Sequence, residues 1–182
     1  MRVEGLYNES KAAIDALVSA YLISEAVSVA ETARKSLAIA AASAFEKDVT
    51  ELLLAFSDEV TFRNEYFKSL IYERILNRNY HALFPWKETS AATFFANFGV
   101  EARNFYNREV KKDALLSQAV RDFLDMGNTR NEIVHRDYIT YPFDKTLDDV
   151  INQYRSARRF TTFLVRFLKL AASGTLSGTP NC

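Results

Sequence analysis

The sequence predicts an all-α protein: a bundle of long antiparallel helices with a short irregular helical insertion in its middle. Three observations carry that expectation. Only five glycines and three prolines occur in 182 residues, and no proline precedes Pro85, which is too little punctuation for a fold of many short strands. Hydrophobic residues make up 48% and charged residues 25%, enough apolar material for a buried core. The apolar positions recur every three to four residues, the period of a helix buried on one face. The length suits one domain, expected over residues 1–172, with a flexible tail over 173–182 rich in Gly, Ser and Thr.

Taken in order, residues 5 to 22 read as a first helix with Ala13, Leu17, Ala20 and Tyr21 as its buried stripe. Residues 24 to 56 read as one long helix. Ala, Leu, Glu and Lys dominate it without Gly or Pro, and Phe45, Val49, Leu52, Leu53 and Phe56 share one face. A third helix is expected over 61 to 79, on the spacing of Phe62, Tyr66, Leu70, Ile71 and Ile75. Pro85 then interrupts, and Thr89 or Ser90 is placed to cap a short helix that stops at Gly99. Residues 113 to 125 form another amphipathic segment, Met126-Gly127-Asn128 reads as a break, and a helix from Thr129 to about Tyr138 ends before Pro142. The last helix is expected over 147 to 172, with Ala157, Phe160, Leu164, Phe167, Leu168 and Ala171 on one face.

Composition also narrows function. Twenty-three basic residues balance 23 acidic ones, so a nucleic-acid role would rest on local patches and not on bulk charge. The single cysteine, Cys182, allows no intrachain disulfide and no cysteine-rich zinc site. The N-terminal stretch lacks the apolar run of a signal peptide, and no window of 18 apolar residues is free of charge. The segment from Val27 to Ala44 comes nearest, but Glu31, Arg34 and Lys35 interrupt it. The expectation is a cytoplasmic protein with no membrane partner.

Common nucleotide-binding, hydrolase and zinc-protease motifs are missing, and no cofactor or metal is expected. Of the two histidines, His81 lies near a helix end, where a capping or half-buried imidazole is the plain reading. The segment Arg130-Asn131-Glu132-Ile133-Val134-His135 is different. Asn131 and His135 are four residues apart and project from one helical face, and the long Arg130 side chain can bend toward them. A forked, permanently charged phosphate binder then stands beside a group that transfers protons near neutral pH. That is a minimal set for cleaving an RNA phosphodiester without metal: proton removal from the 2′-hydroxyl, protonation of the leaving oxygen, and a cation for the developing charge. Chance alone supplies roughly 0.15 Arg-x4-His pairs in a chain of this composition, and requiring Asn after the Arg lowers this about twentyfold.

RNEIVH resembles the R-N-x-x-x-H signature of the HEPN superfamily, helical domains that include metal-independent ribonucleases. FLDMGNTRNEIVH is similar to the usual context of that signature. HALFPWKETSAATFFANFG resembles the Trp, Phe-Phe and Phe-Gly pattern of the HEPN branch named for its association with RiboL-PSP proteins, and SAFEKDVTELL resembles that branch's second helix, with Glu46 at the acidic position. The likeness spans most of residues 35 to 170. It implies a four- or five-helix core that dimerises through the motif-bearing helices, so that two Arg-His pairs face one cleft. It also implies Arg130 and His135 as catalytic residues, Asn131 as supporting, and Glu46 as a polar partner, although Glu46 beside Lys47 and Asp48 equally suits an exposed position. Toxin–antitoxin and antiphage roles follow from the same likeness.

On the last helix, Arg155, Arg158, Arg159, Arg166 and Lys169 fall within one stripe about 100° wide, with no acid between Val150 and Ala172. The stripe suits a solvated face, an RNA backbone track, or a surface for an acidic partner such as an antitoxin or regulatory protein. Phe94, Phe95 and Phe98 are expected in the core rather than as a base-stacking platform. Two functions therefore stand. One is a homodimeric endoribonuclease leaving 2′,3′-cyclic phosphate and 5′-hydroxyl ends. The other is a non-catalytic module that binds RNA, a nucleotide or a partner protein.

Overall fold

A computed structural model of the chain describes residues 2–77, 80–136, 138 and 140–175, apart from the side chain of His81. The expected capping role of His81 and most of the expected tail thus lie outside the described residues. Every regular element among the described residues is helical. They are α1 (Arg2–Ser19), α2 (Ile23–Val60), α3 (Glu65–Ile71), α4 (Tyr80–Leu83), α5 (Ala92–Ala96), α6 (Val100–Lys112), α7 (Ala114–His135) and α8 (Leu147–Ala172). A π-helical turn, Tyr72–Leu76, extends α3.

Helices α2, α7 and α8 pack on one another, and α1 lies along α2. The faces expected from periodicity meet there. Phe45, Val49 and Leu53 of α2 and Ala157, Phe160, Leu164, Phe167 and Leu168 of α8 are buried together. Phe123 of α7 joins them, 5.4 Å from Phe45 and 4.8 Å from Phe160 between ring centroids. Each such ring stabilises the fold by about 1.5–3 kcal/mol through the apolar area it removes from water. The middle segment fills the rest of the core with aromatics: Phe94 stacks on Phe84 at 4.4 Å, and Phe95 on Tyr106 at 4.4 Å. The Tyr106 hydroxyl accepts from the Ala91 backbone N–H at 2.9 Å, which fastens this irregular stretch to α6.

Several expectations are corrected. Met126-Gly127-Asn128 does not break the chain, because α7 runs unbroken through it. Gly127 is there for a close approach and not for a turn: an added Cβ would lie 2.2 Å from the Trp86 ring. Asn128 spends its side chain on Glu132, one turn on, at 3.2 Å. The expected third helix is shorter. Phe62 and Arg63 adopt left-handed backbone angles in the turn after α2, Asn64 caps α3 by accepting from the Phe67 N–H, and the π turn shifts the register. Phe62 is consequently 95% exposed, and Tyr66 and Leu70 are exposed as well. The expected stripe of α1 is also displaced. Ala13, Ala20 and Tyr21 are exposed, and it is Val3, near the other end, that is buried. Helix α6 was not anticipated, although Ala102, Phe105 and Tyr106 form its buried face. The short middle helix has Ala91 at its N-cap position and no side-chain cap; the Ser90 hydroxyl accepts from the Ala92 N–H at 3.3 Å and pairs with the Tyr106 hydroxyl at 3.3 Å.

Candidate functional site

Helix α7 carries Arg130, Asn131 and His135 on its last two turns. Asp113 starts the helix, its carboxylate accepting from the Leu115 and Leu116 N–H groups. Ile133 and Phe123 are each 1% exposed in the core of the chain itself, so neither is available to bury at a dimer contact. Val134, 52% exposed beside His135, is the apolar side chain of this segment that faces outward.

The Arg130 guanidinium is held from two sides. Nη2 lies 3.8 Å from Glu46 Oε2 on α2, and Nη1 donates to Asn131 Oδ1 at 3.2 Å. The narrow recess around these groups is walled by Phe45, Tyr80, Trp86 and Phe123, while the Arg130 and Glu46 side chains keep 29% and 39% of their surface exposed. Burial pushes the Tyr80 phenol far above its usual range, with the nearby Glu46 charge adding to the shift. Tyr80 is therefore a neutral wall. Glu46 is half-buried against Arg130 and not free beside Lys47.

His135 lies on the other side of Asn131 and is exposed. Its ring lines an open cleft of about 500 Å3 together with Trp86, Lys87, Asn131, Glu132 and Arg136. Asn131 and Trp86 border both the Arg130 recess and the His135 cleft, so the two expected functional side chains are neighbours separated by one amide and one indole. Among the described residues the His135 ring makes no hydrogen bond, and it is open to solvent or to a partner.

Four lining or supporting groups were not anticipated: Lys87, Glu132, Arg136 and Tyr141. The Tyr141 hydroxyl donates to Glu132 Oε2 at 2.8 Å and Asn128 Nδ2 donates to Oε1 at 3.2 Å. The Tyr141 bond, then that of Asn128, with Arg136 and Lys87 nearby, holds the Glu132 carboxyl below its usual range. Burial, then the same carboxylate, raises the Tyr141 phenol to about 12. The Arg136 guanidinium sits 5.8 Å from the Tyr141 ring centroid. Beyond it, the buried Lys35 of α2 donates from Nζ to the Tyr138 carbonyl at 2.9 Å, and the Tyr138 hydroxyl donates to the Thr32 carbonyl at 3.3 Å. The chain leaving the motif is thus fastened at two points. Lys87 adjoins Trp86, which lies in the segment that carries the family likeness; nothing local in the sequence links Tyr141 to Glu132.

The stripe on α8 is largely occupied by acids from other helices. Arg155 makes a two-pronged pair with Glu4 of α1 at 3.0 and 2.7 Å, Arg159 binds Asp113 at 2.8 Å, and Arg166 binds Glu109 of α6 at 3.2 Å. Arg158 and Lys169 are exposed, and among the described residues neither has an ion pair. Phe94 and Phe95 are buried, and Phe98 packs against the same core.

Among the described residues, no group of three or more His, Cys, Asp or Glu is placed to hold a metal ion, and no helix is long and apolar enough to cross a membrane. A family model described as RiboL-PSP-HEPN matches residues 7–170. No curated protein and no solved structure matches the chain.

Proposed function

Since the chain belongs to the RiboL-PSP-HEPN family, an HEPN-type domain, we propose that it is a metal-independent endoribonuclease built on Arg130 and His135, serving as a toxin or antiphage effector. The observation that carries this reading is the shared wall: Asn131 touches Arg130 and lines the cleft of His135. A phosphate beside Asn131 would lie within reach of a fixed guanidinium and an accessible imidazole. His135 takes the 2′-hydroxyl proton, the oxygen attacks the adjacent phosphorus, and Arg130 stabilises the charge that builds on the phosphate. The P–O5′ bond then breaks, and an imidazolium protonates the departing oxygen. One chain offers one histidine here, so a symmetric dimer with two α7 ends around one cleft supplies the second proton-transfer group. Asn131 and Glu46 hold Arg130 in place. Within the α8 stripe, Arg158 and Lys169 are the cations we assign to RNA backbone contact or to an acidic antitoxin.

The test is incubation of the purified protein with total RNA, beside His135→Ala, with end-group analysis in the presence and absence of EDTA. Cyclic phosphate and 5′-hydroxyl ends that persist with chelator are expected. Loss of cutting with EDTA, 5′-phosphate ends or cleavage of DNA would overturn the mechanism. RNA binding without cutting by any preparation would leave the non-catalytic module in its place.

A further inference from the structure

We propose that the cleft beside His135 seats an unpaired guanine base, read by the Glu132 carboxylate through the guanine N1–H and N2–H donors. The proposal rests on the RNA-directed reading above and names the nucleotide that this site selects.

Glu132 sits three residues before His135, about 4.5 Å along the helix axis, so a base held by one lies next to chemistry performed by the other. Its carboxylate is braced rather than loose. Tyr141 occupies one acceptor position on Oε2 and Asn128 one on Oε1. A carboxylate has about four such positions, which leaves one on each oxygen. Two parallel acceptors at fixed spacing match two parallel N–H donors.

Of the four RNA bases, guanine alone presents adjacent donors on its Watson–Crick edge, the ring N1–H and the exocyclic amine. Adenine and cytosine pair one amine with an acceptor nitrogen. Uracil flanks its single N–H with two carbonyl oxygens that a carboxylate repels. Single-stranded RNA is recognised in general by reading such edges on splayed bases.

A fixed anion is otherwise out of place in a cleft for a polyanion. Its charge keeps phosphates away from Glu132 itself and directs them to Lys87 and Arg136, both of which line the cleft and act on the Glu132 charge. Trp86 supplies an aromatic wall for the base. The cleft volume of about 500 Å3 falls in the range of small-ligand sites.

The experiment measures binding of full-length protein to short 2′-O-methyl oligouridylates carrying one guanosine, one inosine or one adenosine, by fluorescence anisotropy. The methyl group blocks the nucleophile, so affinity is read without turnover. Guanosine should bind about tenfold or more tightly than inosine, which lacks only the amine, because a hydrogen bond to a charged group is lost. Glu132→Gln should abolish the preference by turning an N–H toward the guanine donors. Tyr141→Phe, which keeps the carboxylate and removes one brace, should reduce it and serves if Glu132→Gln fails to fold.

Equal affinity for the three oligonucleotides, no binding of any, or a guanosine preference undiminished in both variants would overturn the proposal. Cleavage of total RNA without guanosine selectivity would remove this inference and leave the ribonuclease. Guanosine-selective binding without any cleavage would do the reverse.

Discussion

The Cβ that Gly127 lacks would lie 2.2 Å from Cε3 and Cζ3 of Trp86. The indole therefore rests on the bare backbone of α7, between the Arg130 recess and the His135 cleft. It cannot retreat easily, because Tyr80, Phe84 and Phe123 all pack within 5.7 Å of it, centroid to centroid.

Gly127→Ala should accordingly destabilise the protein by about 1–3 kcal/mol, the usual penalty of overpacking, even though alanine favours a helix by about 1 kcal/mol over glycine. Combining it with Trp86→Leu should give less than the sum of the two single effects. Denaturant melts of the four proteins check this, and strict additivity would show that the clash is relieved elsewhere.

For the proposed chemistry, His135→Ala should lower RNA cleavage by about 100-fold or more with the fold intact, the scale of a general acid–base group. Arg130→Ala should be similarly damaging. Single-turnover rates with a labelled RNA, beside circular dichroism, are the measurement, and an unimpaired His135→Ala would detach the motif from the activity.

Assembly should depend on the outward face of the same helix. Val134 is half exposed beside His135, whereas Ile133 is committed to the core. Val134→Glu should shift a dimer toward monomer in sedimentation analysis and lower cleavage in parallel. A fully active monomer would dispense with the composite site.

The Glu132–Tyr141 bond should leave a signature in stability against pH. Glu132 has a folded value below the ordinary 4.5 of a free carboxyl, so its contribution is present above about pH 4.5 and fades as pH falls through the lower folded value. Tyr141 is raised from 10.0 to about 12, so its contribution is complete below pH 10 and fades as pH rises through 12. The stability difference between wild type and Tyr141→Phe should form a plateau between these limits and shrink at the acid end. A difference unchanged from pH 3 to 9 would contradict the linkage.

On α8, the paired and unpaired cations should separate. Arg155→Ala or Arg166→Ala should cost at most about 1 kcal/mol, as exposed ion pairs generally do, and leave the salt dependence of RNA binding alone. Lys169→Ala and Arg158→Ala should each lower the slope of log affinity against log salt by about 0.7–0.9 if each meets one phosphate. The reverse pattern would assign the stripe to fold maintenance throughout.

Periodicity made α8 and the Phe45–Leu53 stretch of α2 readable because their apolar faces obey one spacing rule, whereas Ile23, Val27 and Val29 at the start of α2 are exposed. The three-residue interruption assigned to α7 shows where that rule stops: glycine has two uses, and only the position of Trp86 in space distinguishes a turn from a close approach. The stripes assigned to α1 and to residues 61–79 failed for a related reason. Spacing says which side chains share a face, and not whether another helix arrives to cover it. At the site, Arg130, Asn131 and His135 were visible as a spacing on one helix, and Glu46 through a family likeness. Lys87 reaches the cleft, and Tyr141 reaches Glu132, from irregular chain, the stretch after α7 being placed by contacts such as Lys35 with the Tyr138 carbonyl.

His135 is the final residue of α7, and helix ends are the parts of a fold that open first. The ring thus rides on a turn whose lifetime is set locally, by the Arg136 amide on the Glu132 carbonyl and by the Tyr141 clasp on the same residue. Amide exchange at Val134, His135 and Arg136 should report that local opening, while Phe123 and Leu124, about three turns deeper and buried in the core, should exchange only when the whole bundle unfolds. Anything that grips Glu132 tightens the clasp, so occupancy of the cleft and the lifetime of the terminal turn rise together.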